Sequence, residues 1–344
     1  YEGINGYPNT SKKVRTFGRK DLECRLKKSN FDTVNFYFPF PDYKMPRLVI
    51  SEEIINSNSE YNFGELISKF SNESSYFKHK FNFNQLLVWT EAAKNKLIPD
   101  LSNSFLVVAN VSDCSKYIKN KYDIVFFSSC NRSINTRTKT TVSKENNSKL
   151  VVKKEVLGSN SYSPLLNLSK KMDWQNGESL ALKWYRKIKD CSIDDFVKDV
   201  IKWLLFVDTS ALLSPNVISG DKIDCTPWNI IETKQGLALI DHEWEWPNDI
   251  SIKYLYCRGM LYFFGDYECS FNRIFSGKFN TFQGLIVTIG KHVFSDFSIK
   301  DIDEFIKLES LFLSQVTNKS EKDHRHTIKK SLKKKRKKFF DRYI

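Results

Sequence analysis

The chain has 344 residues, 41% of them hydrophobic and 27% charged, which is enough apolar material for more than one core. Its net charge of +14 is uneven: residues 319–344 carry twelve Lys and Arg against three acids, a net of +9, and the preceding 318 residues carry +5. No apolar run reaches membrane-spanning length, no secretory leader pattern is present, and seven Cys (24, 114, 130, 191, 225, 257 and 269) form no C-x-x-C pair. That argues against a spanning protein, a zinc site or a disulfide framework, and for a reducing, cytoplasmic compartment. The first residue is Tyr1 rather than Met, so the chain is read as a piece of a longer protein.

Residues 1–57 open with an amphipathic helical pattern over 19–26, started by Thr16 or Gly18. An alternating strand is expected over 31–38, a Pro-rich turn at Pro39, Pro41 and Pro46, and a second strand over 47–51. This unit is too small to bury its own face. Thr16, Phe17, Arg19, Leu22, Leu26, Asn30 and Phe31 are similar to the closing helix and strand of class I SAM-dependent methyltransferases. The SAM-binding half of such a fold, with its glycine-rich turn, lies outside this chain. Methylation with SAM would therefore belong to the full-length protein. The alternative is an extra subdomain packed on the rest of the chain.

Residues 83–93 predict a helix and 102–110 a buried strand. Three further strands are expected over 121–130, 134–142 and 150–156, with a turn at 146–148. Between the first two lies a loop, 128–133, whose polar residues include Arg132. Arg132 is either a fork for phosphate or a solvated turn residue. Lys153 and Lys154 sit on opposite faces of the last strand, so one binds phosphate at most and the other is a surface lysine. A helix is expected over 164–171, without Glu or Asp. Residues 178–213 read as helical, with Trp184, Phe196, Val200 and Trp203 as core.

Residues 218–246 read ISGDKIDCTPWNIIETKQGLALIDHEWEW. Two short apolar runs flank Gln235 and Gly236, which predicts a β-hairpin. Asp224 and Asn229 precede it, five residues apart, and Asp241 ends it, twelve residues after Asn229. An acid that takes a proton from a hydroxyl, and an amide and an acid that hold Mg²⁺, would need this kind of spacing. Ordinary Asp and Asn turn residues on a surface hairpin are the alternative. Glu243 lies two beyond Asp241 and is a further candidate metal or water ligand. Trp244 and Trp246 read as packing residues, and His242 as a satisfied structural histidine rather than a base. Helices are expected over 249–264, containing Arg258 with an acidic partner, and twice within 280–316. The tail 319–344 predicts one basic helix with Ile328, Leu332, Phe339 and Tyr343 on a stripe. It is a solvated charge run, a membrane-surface helix or a coiled-coil seam. No nucleic-acid recognition fold accompanies it.

The D-x-x-x-x-N spacing in DCTPWN, followed one hairpin later by IDHEWEW, resembles protein kinases and most nearly small-molecule kinases of the aminoglycoside-phosphotransferase type. With the preceding segment, the order is similar to bifunctional methyltransferase–kinases of bacterial polysaccharide synthesis. That resemblance implies an α+β, two-lobed kinase-like fold: a methyltransferase remnant at 1–57, a β-rich lobe at 58–175, a helical lobe at 176–318 and a basic tail at 319–344. It implies ATP and Mg²⁺ as cofactors and Asp224 as catalytic base. Asn229, Asp241 and Glu243 would hold metal, with Lys154, Lys153 and Arg132 toward nucleotide. The acceptor would be a glycan or lipid-linked sugar at the inner face of the plasma membrane. Two departures stand out: the 128–133 loop has no glycine, and no helix acid is in place to orient the lysine. A degenerate kinase-like scaffold, with the methyltransferase as the main activity of the longer protein, is the competing expectation.

Overall fold

A computed structural model describes residues 17–57, 63–71, 84–111, 122–145, 149–157, 163–168, 171–188, 191–213, 217–266 and 281–334. They form an α+β protein whose described strand pairings are all antiparallel, and the chain divides into two units. The first comprises Tyr1–Ser128, Lys139–Glu155 and Lys171–Trp174; the second comprises Ser129–Thr138, Val156–Lys170 and Gln175–Ile344.

The first unit is built on one sheet. Helix α1 (Arg19–Lys28) follows Gly18 and is laced by Arg19–Glu23 and Lys27–Glu23 pairs at i,i+4. Strands β1 (Thr33–Phe40) and β2 (Leu48–Ser51) form a hairpin, followed by α2 (Glu52–Ser57), α3 (Phe63–Ser71), α4 (Gln85–Lys94) and α5 (Ile98–Leu101). Then come β3 (Leu106–Asn110), β4 (Ile124–Phe127), β5 (Thr138–Lys144), β6 (Leu150–Val156) and β7 (Met172–Asp173). The strand order is β3-β1-β2-β4-β5-β6-β7. Phe36, Phe38 and Phe40 alternate inward from β1 and meet Leu48, Ile50, Phe63, Ile67 and Ile124 in the core. Sequence led to a boundary at residue 57. The sheet runs through it instead, because β1 pairs with β3 and β2 with β4. A strand pair with one apolar face cannot stand alone, and these neighbours cover it.

The second unit is mainly helical. A three-stranded sheet joins β8 (Glu178–Ser179) to the hairpin that turns at Gln235. Ser179 caps α6 (Leu180–Lys187) and Ser192 caps α7 (Ile193–Val207). Strand β9 (Val217–Ile218) precedes the hairpin of β10 (Ile230–Thr233) and β11 (Gly236–Leu239), and pairs with β12 (Ile250–Ser251). Helices α8 (Ile252–Asp266), α9 (Phe282–Val293), α10 (Ile299–Val316) and α11 (Glu321–Leu332) complete it. The Trp stripe of α6 and α7 is core: the Trp184 ring packs edge-on against Phe196, Trp203 and Phe263 at 5.3–5.8 Å. No helix among the described residues is long and apolar enough to cross a membrane.

Two expectations change here. Residues 164–168 form no helix; Leu166 bridges Trp244 in extended pairing, supported by Asn167 N–H to Glu243 O (2.8 Å) and Glu245 N–H to Leu165 O (2.9 Å). The basic tail is no detached helix either. Ser320 caps α11, and His324, Ile328 and Leu332 are buried as α11 packs on α8, α9 and α10. The apolar stripe at 328 and 332 therefore closes this unit's own core and is not offered to a membrane or a coiled-coil partner. Phe339 and Tyr343 lie outside the described residues. We predict that Ile328→Ala or Leu332→Ala lowers stability by about 2–5 kcal/mol. A urea midpoint unchanged from wild type would show the helix to be a dispensable appendage.

Candidate functional site

The hairpin register creates the site. Ile230 pairs with Leu239 and Thr233 with Gly236, leaving the two-residue turn Lys234-Gln235 and a positive φ of 124° at Gly236 that suits glycine. Ile240 N–H donates to Asn229 O (2.7 Å), so Asn229 and Asp241 emerge at the same end of the hairpin. Asp241 itself has φ 53°, in the left-handed region that Asp enters more readily than most residues. There the chain turns back.

That turn brings Glu243 and Trp244 over Asp224, the last residue of a 3₁₀ turn (Gly220–Asp224). Both backbone N–H groups donate to Asp224 Oδ2, at 3.1 and 2.9 Å. Oδ1 makes no hydrogen bond among the described residues. The Asp224 carbonyl accepts from Asn229 Nδ2 (3.0 Å) and Thr226 N–H (2.7 Å). With its amide nitrogen so engaged, Asn229 keeps Oδ1 as an acceptor. The loop between is held from below: Trp203 Nε1 donates to Cys225 O (2.8 Å), and a Cβ at Gly259 of α8 would lie 2.4 Å from the Trp203 ring and 3.2 Å from Pro227. Only a glycine lets α8 come this close to the loop.

Asp224 is 5% exposed. Burial pushes its carboxyl up to about 7, the Glu243 and Asp241 charges add to this, and Arg258 and the Trp244 N–H oppose it. The two guanidinium groups nearby are paired. The Arg132 guanidinium bonds the Glu243 carboxylate and lies 4.8 Å over the Trp244 ring. Arg258 bonds both oxygens of Glu309 (2.6 and 2.5 Å), a residue with no exposed surface. The Tyr254 and Tyr262 hydroxyls donate to the same carboxylate, at 2.7 and 2.5 Å. Phe312 of α10 receives Arg258 at 4.8 Å and the Trp244 ring at 5.7 Å. Trp246 is also buried, and His242 Nε2 donates to Asp221 O (2.5 Å), a structural role.

The structure thus brings together Asp224, Asn229, Asp241, Glu243, Arg132 and Arg258 within the second unit. Glu243 and Arg132, expected as a metal ligand and a phosphate fork, are here partners in one ion pair. The 128–133 segment has no free loop tip at Arg132. Arg132 bridges Thr317, Ser133 N–H donates to Val316 O (3.1 Å), and Asn318 N–H donates to Asn131 O (3.2 Å). Arg137 closes it further, with bonds to the carbonyls of Arg132 and Cys130. Lys153 and Lys154 belong to the first unit. Lys153 is exposed, 3.8 Å from Glu145, while Lys154 is half-buried on the opposite face of β6.

Glu309, Tyr254 and Tyr262 escaped the sequence reading. Their signal was there: Phe305, Glu309 and Phe312 follow i, i+4, i+7 spacing, an acid inside an apolar stripe, and such an acid needs a buried cation. Among the described residues, no three His, Cys, Asp or Glu side chains converge as a metal-holding cluster. No protein-family model, curated protein or solved structure matches the chain.

The raised carboxyl has a consequence for stability. Between the ordinary 3.8 and about 7, the folded protein holds a proton on Asp224 that the unfolded chain has lost, so stability falls as pH rises through that window. Asp224→Asn abolishes this titration. We predict that, without divalent metal, the variant equals wild type near pH 4 and gains on it as pH rises toward 7, by on the order of 1 kcal/mol for each pH unit. Parallel pH–stability curves for the two proteins would contradict the burial argument.

Proposed function

We propose that the second unit is the helical lobe of a kinase-like fold, and that the protein transfers phosphate from Mg·ATP to a hydroxyl, with a glycan or lipid-linked sugar as the expected acceptor. One observation carries the reading. A single hairpin sets the Asn229 Oδ1 and the Asp241 carboxylate at one end, beside an Asp224 carboxylate fixed through one oxygen by two backbone N–H groups.

The donor set fits a hard cation. Mg²⁺ is commonly bound through one or two protein oxygens with phosphates and water completing the shell, so Asn229 and Asp241 suffice and Glu243 is not required. Bound there, the ion would neutralise charge on the transferred phosphoryl group. Asp224 supplies the proton acceptor. With Oδ2 held by the chain, Oδ1 is the oxygen that faces a hydroxyl, and an acid near 7 ionises in the working range of a general base. Arg258, locked by Glu309, keeps a fixed positive charge near it.

A second reading, a kinase-like scaffold without turnover, draws on a different observation. Residues 164–168 lie extended along Glu243–Glu245 and supply no helix acid, and Arg132 is committed to Glu243. The methyltransferase reading of residues 1–57 concerns the longer protein. Here α1, β1 and β2 belong to the first unit's sheet and its helices.

Two measurements separate these readings. By calorimetry, ATP should bind tighter with Mg²⁺ than without, and Asp241→Ala should erase that difference; equal affinity in wild type with and without Mg²⁺ sinks the metal site. In single turnover with a sugar acceptor, Asp224→Asn should slow transfer by roughly 10²–10⁴-fold with nucleotide affinity kept. Mg·ATP binding with no transfer in wild type to any acceptor tried would favour the scaffold.

A further inference from the structure

The docking of α11 leaves one face of it outward, and that face is basic. Lys322, His326, Lys329 and Lys333, at spacings of four, three and four, form an exposed column flanked by Arg325, Lys330 and Lys334. Between residues 319 and 334, seven Lys and Arg stand against Glu321 and Asp323, and all seven are exposed. Of the two acids, Glu321 is paired with Arg325 (2.7 Å), and Asp323 is turned back to the helix start by Ser320. In sequence Lys335-Arg336-Lys337-Lys338 come next, followed by Phe339, Phe340 and Tyr343.

We propose that this ridge is a docking surface for an anionic lipid membrane, bound by charge on the outside of a folded helix rather than by insertion of its apolar stripe. Three observations favour this occupant. The apolar residues that an inserting helix would use, Ile328 and Leu332, are sealed in the unit's core, so α11 itself contributes charge alone. The charge lies on one side of a helix whose other side is buried against α8, α9 and α10, a geometry that meets a plane of headgroups. The basic run is followed at once by aromatic residues, the side chains that sit at headgroup level. The docked surface is also tied to the candidate site. Thr317 Oγ1 and His324 Nε2 lie 2.6 Å apart, and Thr317 and Asn318 hold the segment that carries Arg132. Lipid docking would set the orientation of the unit bearing Asp224 toward acceptors at that surface. This last consequence rests on the phosphotransferase reading; the docking itself does not.

The test is vesicle sedimentation of the full chain. The protein should pellet with phosphatidylglycerol–phosphatidylcholine vesicles, stay in solution with pure phosphatidylcholine, and be released as salt shortens the Debye length from about 10 Å at 0.1 M toward about 3 Å at 1 M. Each basic residue lost should weaken binding roughly fivefold, so Lys322→Glu/Lys329→Glu/Lys333→Glu should lose about a hundredfold or more. These positions are exposed, so its thermal melt should match wild type; if it does not, Lys322→Gln/Lys329→Gln/Lys333→Gln carries the same test. Equal binding to neutral vesicles, unchanged binding by a folded triple variant, or tighter binding to single-stranded RNA than to anionic vesicles at the same salt would each overturn the proposal. Because no nucleotide enters the assay, its outcome is independent of whether Mg·ATP binds.

Discussion

The register of one hairpin sets most of what the second unit can do. Because Ile230 faces Leu239, the bond from Ile240 N–H to Asn229 O closes the hairpin end, and Asn229 and Asp241 become neighbours although they are twelve positions apart. The left-handed turn at Asp241 then sends the chain back, and the next two N–H groups beyond His242 fall on Asp224. A slip of one residue would turn every side chain of β11 to the opposite face and break this set at once. Trp203 and Gly259 keep the loop between Asp224 and Asn229 from adjusting independently.

The charges around this frame are arranged so that each of the two guanidinium groups has a carboxylate. Arg132 has Glu243, and Arg258 has Glu309 with two tyrosine hydroxyls added. Buried pairs of this kind contribute little net stability, since desolvation offsets most of the attraction, yet removing one partner is costly. Their role is better seen in what they leave over. Asp224 receives backbone dipoles instead of a salt bridge, so its carboxyl is raised by burial rather than lowered by a cation. Trp244 and Phe312 wall the two guanidinium groups, which places aromatic faces where solvent would otherwise weaken both pairs.

The local frame was legible in the sequence. Alternation marked β1, short apolar runs either side of a turn marked the hairpin, and helical patterns marked α6 to α10, since each reflects a face meeting a core. The spacing of Asp224, Asn229 and Asp241 was readable because turn and strand geometry convert short separations into fixed positions. What depended on distant partners was not. Nothing in residues 128–133 shows that Val316, Thr317 and Asn318 will hold them, so Arg132 read as a loop residue. The stripe on α11 announced an apolar face but not which surface it would cover. Residues 164–168, with Pro164 at their start, carry Leu165 and Leu166 that pass for helix and bury equally well in an extended bridge to Trp244.

The central claim is that Asn229 and Asp241 form the protein part of a divalent-metal site beside Asp224. Anomalous diffraction from crystals grown with Mn²⁺ and a non-hydrolysable ATP analogue tests it most directly. The account predicts a manganese peak in contact with Asn229 Oδ1 and the Asp241 carboxylate, with Glu243 still paired to Arg132. A peak held instead by Glu243 away from Arg132, or nucleotide bound with no metal at the hairpin end, would contradict it.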